Sequence, residues 1–316
     1  MTGLQKRTIN NIIRRKVDKW LESIEDEELR KLCKRDVIVT GGCIASMLLG
    51  EDVNDYDLYF KKYDTVVAVS NYYLKKFLAG RTAEQGGIPY NITVQEMHDT
   101  LNRQRVRYVV KSAGIAGDDQ SEDYKYFEQG GGDTESYVDE AFQNQRQEAI
   151  GEVSDEARPE KPMYHPVFLS SNAVTLKGGV QLIIRFFGDH EAIHENFDFV
   201  HCMNYWTRSE GVVLNQDSLE ALMSKTLVYR GSLYPICSIF RSKKFIERGW
   251  KINAGQYLKM VMQIHDLDLQ DYVVLEEQLT GVDMAYFSEV LGAVKKQNPL
   301  ELDQAYLVEV INRMFG

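Results

Sequence analysis

Apolar and polar positions along the first forty residues follow two successive patterns. From residue 4 to residue 34 the apolar positions lie three or four apart, which predicts one or two amphipathic helices. The next apolar run, Asp36–Thr40, is short and continuous, as in a buried strand, and it ends at Gly41-Gly42. The chain is therefore expected to begin with helices that lead into a strand with a glycine turn at its end.

The stretch after the glycine pair predicts helices and strands in alternation. Cys43–Leu49 is compact and apolar, which favours a helix, and Gly50 supplies a helix stop. Asp55–Phe60 alternates and is rich in aromatic residues, so it predicts a strand. A helix over residues 63–79 and a strand over residues 105–111 are expected to extend the same layer.

The rest of the pattern predicts a sheet-forming part followed by an all-helical part. Residues 166–187 alternate around Gly178-Gly179 and predict strands with a hairpin, and Phe197–Phe199 predicts one more strand. From about residue 215 the apolar positions again lie three or four apart. The segments expected to be helical are 216–228, 232–248, 254–264, 271–280 and 301–314.

Charge is distributed unevenly along the chain. The net charge is −10 in 316 residues, but residues 117–160 alone hold 14 acidic and three basic residues. Because the stretch from 113 to 163 is acidic and itself contains few aliphatic residues, it predicts a mobile insertion or lid. Residues 225–259 carry eight basic residues against one acid, Glu247, so an acidic chain still offers a basic segment to an anionic ligand.

Composition excludes several classes of protein. Hydrophobic residues make up 44% of the chain, enough for a core, yet no run of 18 apolar residues predicts a membrane span. The basic N-terminus lacks the apolar stretch of a secretory signal. The four cysteines are scattered without a CxxC pair, which argues against a zinc knuckle or a disulfide framework. A cytoplasmic protein is expected, with no sequence indication of its oligomeric state.

Two aspartates supply the candidate chemistry. Asp55 and Asp57 lie two apart on a predicted strand, so their carboxylates should face one side and hold a pair of divalent ions, Mg²⁺ or Mn²⁺. Asp198, flanked by apolar residues on another predicted strand, is the candidate third carboxylate. Gly41 and Gly42 would let the backbone approach a phosphate at the start of the following helix, where Ser46 could add a hydroxyl contact. Taken singly, these features are also typical of turns and caps.

The ordered set of motifs resembles a known family. Val39–Leu58, with its glycine pair, Leu-Leu-Gly and Asp-Tyr-Asp, is similar to the head of CCA-adding enzymes and bacterial poly(A) polymerases, which are polymerase-β-type nucleotidyltransferases. Asn196–Tyr205 resembles their second motif, and Ser238–Ile252 their later arginine helix. The resemblance implies that Arg241 and Lys244 lie near the phosphates of a nucleoside triphosphate and that an RNA 3′ end accepts the nucleotide.

The fold implied is α+β. It consists of a polymerase-β-like nucleotidyltransferase head, a small mixed sheet with helices, over residues 1–210, with the acidic insertion inside it and a C-terminal helical domain over residues 211–316. A non-catalytic member of the same fold, binding nucleotide or a protein partner, is the alternative. Independently of this choice, the basic positions on the Arg241 helix can be interpreted either as phosphate or RNA contacts or as a solvated face.

Three departures from the family pattern concern the substrate. The arginine that usually follows the glycine pair is absent, with Ala45 and Ser46 in that stretch. Asn196-Phe197 replaces the basic pair before the second motif's aspartate, and no helix carries the acidic residue and arginine that read the base. These departures do not support CCA specificity, and they fit equally well a divergent, phage-borne member with another acceptor.

A competing motif is the zincin signature His190-Glu-Ala-Ile-His194. In a zincin two histidines on a substantial helix bind zinc and Glu191 acts as the base. Gly188 precedes this motif closely and another predicted strand follows it, so the helix should span barely two turns. The preferred interpretation is a short connecting helix with both histidines at the surface, and a structural role for His201.

Overall fold

The computed structural model describes residues 3–82, 92–98, 102–110, 163–170 and 172–269, together with residues 271, 274, 275 and 278. Apart from Met163, the predicted acidic insertion lies outside these residues, as do the predicted helix 301–314 and most of 271–280. Backbone contacts divide the chain into two units. The first contains the described residues up to His194 and Asn204–Leu214, and the second contains Glu195–Met203 and the described residues from Asn215 onward.

Two helices open the first unit, as their periodicity predicted. They are α1, Lys6–Glu22, and α2, Glu27–Asp36. Asp26 caps α2 because its side chain accepts hydrogen bonds from the backbone N–H groups of Glu28 and Leu29, which have no partner within the helix. The buried face of α1 places its apolar residues in the core: Ile9, Ile13, Val17, Trp20 and Leu21.

Seven described strands of the first unit form one sheet: β1 Val37–Thr40, β2 Tyr56–Phe60, β5 Pro166–Leu169, β6 Ala173–Leu176, β7 Val180–Phe187, β8 Tyr205–Thr207 and β9 Gly211–Val213. Their order in the sheet is β5-β6-β7-β2-β1-β8-β9. The central strand β2 pairs in parallel with β7 and antiparallel with β1, so the sheet is mixed, and together with the helices it gives the unit an α+β fold. Strands β3, Ile92–His98, and β4, Gln104–Val110, form a separate antiparallel pair.

Three further helices connect these strands. They are α3, Gly42–Leu49; α4, Tyr63–Thr82; and α5, His190–His194. All four residues of β1 are buried, as expected for a continuous apolar run. Gly178 and Gly179 have φ values of +94° and +66° and form the predicted turn between β6 and β7.

The second unit is mainly helical. Its described helices are α6, Gln216–Ser224; α7, Pro235–Glu247; and α8, Ala254–His265. It is not entirely helical as predicted, because the two-residue strands β10, Thr226–Leu227, and β11, Lys251–Ile252, pair in parallel. No helix in the described ranges is long and apolar enough to cross a membrane.

The strand predicted at Phe197–Phe199 is wrong. Phe199 forms only a single bridge to Tyr229, and a 3₁₀ turn, Val200–Cys202, follows at once. The alternation of two aromatic residues around Asp198 arises instead because Phe199 packs against Tyr229 while the Asp198 carboxylate turns to other partners. Three residues are too few for alternation to distinguish a strand from such a bend.

Candidate functional site

The turn between β1 and α3 depends on Gly41. Its backbone has φ 102° and ψ −152°, a region open in practice only to glycine. Strand β1 therefore ends abruptly, and α3 begins at Gly42 with the N–H groups of its first turn lacking partners within the helix. These N–H groups and the helix dipole favour an anion at this point.

Asp57 lies directly against this turn. A Cβ atom added to Gly41 would stand 2.9 Å from Oδ2 of Asp57, so the carboxylate occupies the space that any side chain at position 41 would need. The contact follows from the sheet, because β2 runs antiparallel beside β1 and pairs Leu58 with Val39. The structure thus brings together two motifs that are 16 positions apart in the sequence.

Asp55 precedes β2 rather than belonging to it, because the strand begins at Tyr56. The two carboxylates are nevertheless electrostatically linked. Burial, and then the negative charge of Asp55, raise the pKa of Asp57 well above its usual range. Loss of hydration also raises the pKa of Asp55. A divalent cation would relieve both effects, since it replaces lost hydration and screens the repulsion.

The β6–β7 turn fixes the entry to β2. The N–H of Tyr56 donates to the Gly179 carbonyl at 2.9 Å, and the Lys16 ammonium donates to the Gly178 carbonyl. The same ammonium lies 5.1 Å from the centre of the Tyr56 ring. Two distant segments, the β6–β7 turn and α1, therefore hold the chain on which Asp55 and Asp57 stand.

The other predicted phosphate contacts lie along α3. A side chain at Gly42 would meet no atom within 4 Å, so there is open space beside the first residue of the helix. Ser46 is four residues further on and therefore on the same face of the helix. It is half-buried, and its carbonyl accepts a hydrogen bond from the Glu51 N–H at 2.9 Å.

Asp198 lies in the second unit and is bound there by two side chains. Its Oδ2 accepts hydrogen bonds from Nη1 of Arg241 at 2.5 Å and from Oγ of Ser238 at 3.0 Å. Its backbone carbonyl accepts from the Arg230 N–H. The sequence suggested Asp198 and Arg241 separately, as a metal ligand and a phosphate ligand, and the structure joins them as an ion pair.

Lys244, on the same helix as Arg241, is exposed. Its neighbour Lys243 lies 3.8 Å from Glu247, a loose ion pair one turn apart. Among the described residues no group of three or more His, Cys, Asp or Glu side chains is placed to hold a metal ion by itself. The assignment of Asp198 as a third metal ligand stays a prediction.

The helix of the zincin motif is short, as expected, at five residues. The expectation that both histidines lie at the surface is wrong for His194, which is buried. Its Nε2 lies 2.8 Å from Oγ1 of Thr40, and that hydroxyl donates to the Asn204 carbonyl. His194 is then the donor, with its Nε2 protonated and engaged, while His190 stacks on Tyr205. This arrangement is typical of a structural histidine.

His201 is a buried histidine whose role the sequence left as structural. It packs against Phe245 and Trp250 with ring centres 4.6 and 4.3 Å away, and neither ring nitrogen has a hydrogen-bond partner in the described protein. Burial lowers the pKa of His201 to about 4, against a smaller opposing effect of Asp198. The ring is therefore neutral and acts as part of an aromatic cluster.

The described residues define an α+β protein in which a strand, a glycine turn and a helix start face a carboxylate of the next strand. Comparison with solved structures finds CCA-adding enzymes, at low identity. The Thermotoga maritima CCA-adding enzyme complexed with tRNA aligns with a TM-score of 0.37 and 12% identity, over 94% of this chain and 53% of that one. A CCA-adding enzyme in complex with CTP aligns with a TM-score of 0.36 and 14% identity, over 90% and 55%. The chain thus spans about half the length of these enzymes.

The chain belongs to the Gabija anti-defense 2 family, whose profile matches residues 11–225. That range contains the glycine pair and all three candidate aspartates, and it ends before Arg241 and Lys244. The Gabija anti-defense 2 protein of Bacillus phage SPbetaL7 is 27% identical over 145 residues, which are 42% of this chain and 36% of the phage protein. The aligned part thus spans about a third of that relative.

Proposed function

We propose that this chain is a metal-dependent nucleotidyltransferase that moves a nucleoside monophosphate from a nucleoside triphosphate to an acceptor hydroxyl. The observation that carries the proposal is the 2.9 Å approach between the Cβ position of Gly41 and the Asp57 carboxylate. At this contact the N-terminus of α3, which attracts phosphate, lies beside the Asp57 carboxylate, which repels phosphate. Both can act on one triphosphate only if a cation lies between them, which is the arrangement that phosphoryl transfer uses.

The residues of the first unit fit such a cation. Asp55 and Asp57 offer the oxygen ligands that Mg²⁺ or Mn²⁺ prefers. Their raised pKa values mean that the ionised pair is unfavourable by itself, and a bound cation would stabilise it. When bound, the metal would supply positive charge to the triphosphate. The backbone at Gly41 and Gly42 and the Ser46 hydroxyl would hold a phosphate at the start of α3.

The reaction proposed is an in-line displacement. The oxygen of the acceptor hydroxyl forms a bond to the α-phosphorus, the bond from that phosphorus to the bridging oxygen breaks, and pyrophosphate leaves. The hydroxyl proton passes to a carboxylate or to solvent. Asp198 is proposed to assist at the metal or the nucleophile, and Arg241 and Lys244 to neutralise the triphosphate.

The proposed acceptor is an RNA 3′ end, and the proposed setting is phage counter-defence. The family name supports the second part, because it describes proteins directed against the Gabija defence system. Cells that carry Gabija should admit phage when they express this chain and should resist when they express the Asp57→Asn variant. Equal phage plating with the wild-type chain and with Asp57→Asn would mean that the anti-defence role does not depend on nucleotidyl transfer.

The direct test is incubation with each of the four labelled nucleoside triphosphates, Mg²⁺ and total RNA. We expect label to enter RNA with the wild-type chain and to be lost in Asp55→Asn and Asp57→Asn. Asp52→Asn is the matched control, because Asp52 is an exposed carboxylate three positions before Asp55. Unchanged labelling of RNA by both variants would contradict the proposal. Triphosphate binding without turnover would favour the non-catalytic alternative. Zinc-dependent hydrolysis that is lost in His190→Ala would favour a zinc hydrolase.

A further inference from the structure

Two adjoining clefts on the first unit are lined by basic side chains. One, of about 240 Å³, is lined in part by Lys34, Lys61 and Arg208. The other, of about 480 Å³, is lined in part by Lys6, Arg7 and Arg14. Ser209 lines both clefts, so they form one continuous surface. These six cations are called the basic surface below.

The fold gathers this surface from four separate parts of the chain. Lys6, Arg7 and Arg14 stand on α1, and Lys34 lies in the last turn of α2. Lys61 follows β2 and Arg208 follows β8, and the register of the sheet brings both to the start of β1. None of the six belongs to the basic segment at residues 225–259, and no local pattern in the sequence indicates that they lie close together.

The basic surface is separate from the Gly41–Asp57 contact. Val37, at the start of β1, lines the first cleft, whereas Gly41 follows the end of that strand. At about 3.4 Å per residue the two points lie roughly 13 Å apart along the strand. A ligand at the basic surface would therefore not compete with a triphosphate at the glycine turn.

Nearby acids leave most of this charge uncompensated. Asp36 is buried and already accepts from Arg35 and Thr65. Glu210, the one acid lining either cleft, accepts from the hydroxyl of Thr207. Lys6, Arg7, Arg14, Lys34 and Lys61 form no ion pair with any described residue.

Arg208 adds a buried donor without a partner. One of its Nη atoms binds Asp18, but its Nε is shielded from solvent and has no hydrogen-bond acceptor in the described protein. A guanidinium offers a planar fork of donors that suits a phosphate group. An anion in the first cleft would lie beside the exposed part of this guanidinium, while Lys34 and Lys61 neutralise its charge.

We propose that the basic surface binds the phosphodiester backbone of RNA. Six cations spread over two clefts match a ligand with regularly spaced anionic groups better than a single small anion. No aromatic side chain lines either cleft among the described residues, so bases have no stacking platform, and binding is expected to be independent of sequence. The inference rests on the proposed function in one respect, because it takes the bound RNA to be the acceptor.

The test measures binding rather than turnover. Fluorescence anisotropy with a labelled 20-nucleotide single-stranded RNA is recorded between about 50 and 200 mM salt for the full chain. For single strands the slope of log K against log salt is about 0.7 per phosphate contact. We expect Lys34→Gln/Lys61→Gln to reduce the slope by about 1.4, and Lys6→Gln/Arg14→Gln to reduce it by a similar amount.

The matched control is Lys19→Gln/Lys75→Gln, which removes the same charge from exposed positions of α1 and α4 outside both clefts. An unchanged slope in this control supports the proposal. The proposal would be overturned if the control and cleft variants lost the same amount of slope, or if the chain did not bind RNA at low salt. It would also be overturned if polyglutamate of the same charge bound with equal affinity. Asp57→Asn should bind RNA like the wild type while losing labelling, so a failed binding test and a failed catalytic proposal give different results.

Discussion

Replacement of Gly41 by alanine tests whether the glycine turn and Asp57 form one site. At φ 102° and ψ −152° a side chain strains the backbone, which costs roughly 1–3 kcal/mol. The new Cβ would also stand 2.9 Å from Oδ2 of Asp57, so the carboxylate would have to move. With both effects we expect the free energy of unfolding to fall by roughly 2–4 kcal/mol.

Gly42 provides the matched comparison one position later. A Cβ there meets nothing within 4 Å, and Gly42 is the first residue of α3. Alanine favours a helix over glycine by up to about 1 kcal/mol, so Gly42→Ala should leave stability unchanged or raise it slightly. The same substitution should thus destabilise the chain at Gly41 but not at Gly42.

Urea unfolding followed by tryptophan fluorescence measures this difference. Trp20 and Trp206 are fully buried in the first unit, and a Trp250→Phe background removes the signal of the second. Gly41→Ala should also lose nucleotide labelling, because it displaces the Asp57 carboxylate. Equal stability of the two alanine variants would refute the reasoning, since it would mean that neither the backbone of Gly41 nor its contact with Asp57 is as described.

Three other substitutions test individual side chains. Asp57→Asn should stabilise the metal-free chain at pH 7. Because folding raises the pKa of Asp57, its protonated carboxyl group contributes stability that is present below pH 3.8 and is lost as the pH rises through the pKa of the folded chain. Thermal unfolding with and without Mg²⁺ should also show that the variant loses the stabilisation by the metal. His201→Phe should make the free energy of unfolding less sensitive to acid. Because burial lowers the pKa of His201 to about 4, its contribution to that free energy is fully present above pH 6.5 and falls by about 2 kcal/mol at pH 5. Urea unfolding followed by the fluorescence of Trp250 measures the difference. Arg241→Met should cost roughly 1–2 kcal/mol by leaving Asp198 with Ser238 alone, and Asp198→Asn should recover part of that loss in a double-mutant cycle.

Local patterns in the sequence predicted most of the elements around the candidate site. The run Val37–Thr40, the glycine pair, the apolar stretch to Leu49 and the strand after Asp55 each have a signal within ten residues. The stop at Gly50, with φ 69°, and the turn at Gly178-Gly179 likewise follow from glycine's access to positive φ. Such features depend on hydrogen bonds and side-chain spacing within one element, so the sequence alone contains them.

The short motif Phe197–Phe199 marks where this reasoning failed. Its alternation predicts a strand, but its carboxylate is bound by Arg241 and Ser238, which are 43 and 40 positions away. The short connecting helix likewise predicts a surface position for His194, although Thr40, 154 positions earlier, holds it in the interior. A polar residue with a partner far along the chain carries no local sign of its burial.

The sequence by itself determined which residues could do chemistry: a carboxylate pair, a glycine turn and a helix start. Only the tertiary structure decided which of them meet. The antiparallel register of β1 and β2 sets Asp57 against Gly41 at one end of the sheet and assembles the basic surface at the other. Register is fixed by which apolar faces are buried together, and that is a property of the packed sheet rather than of any one of its strands.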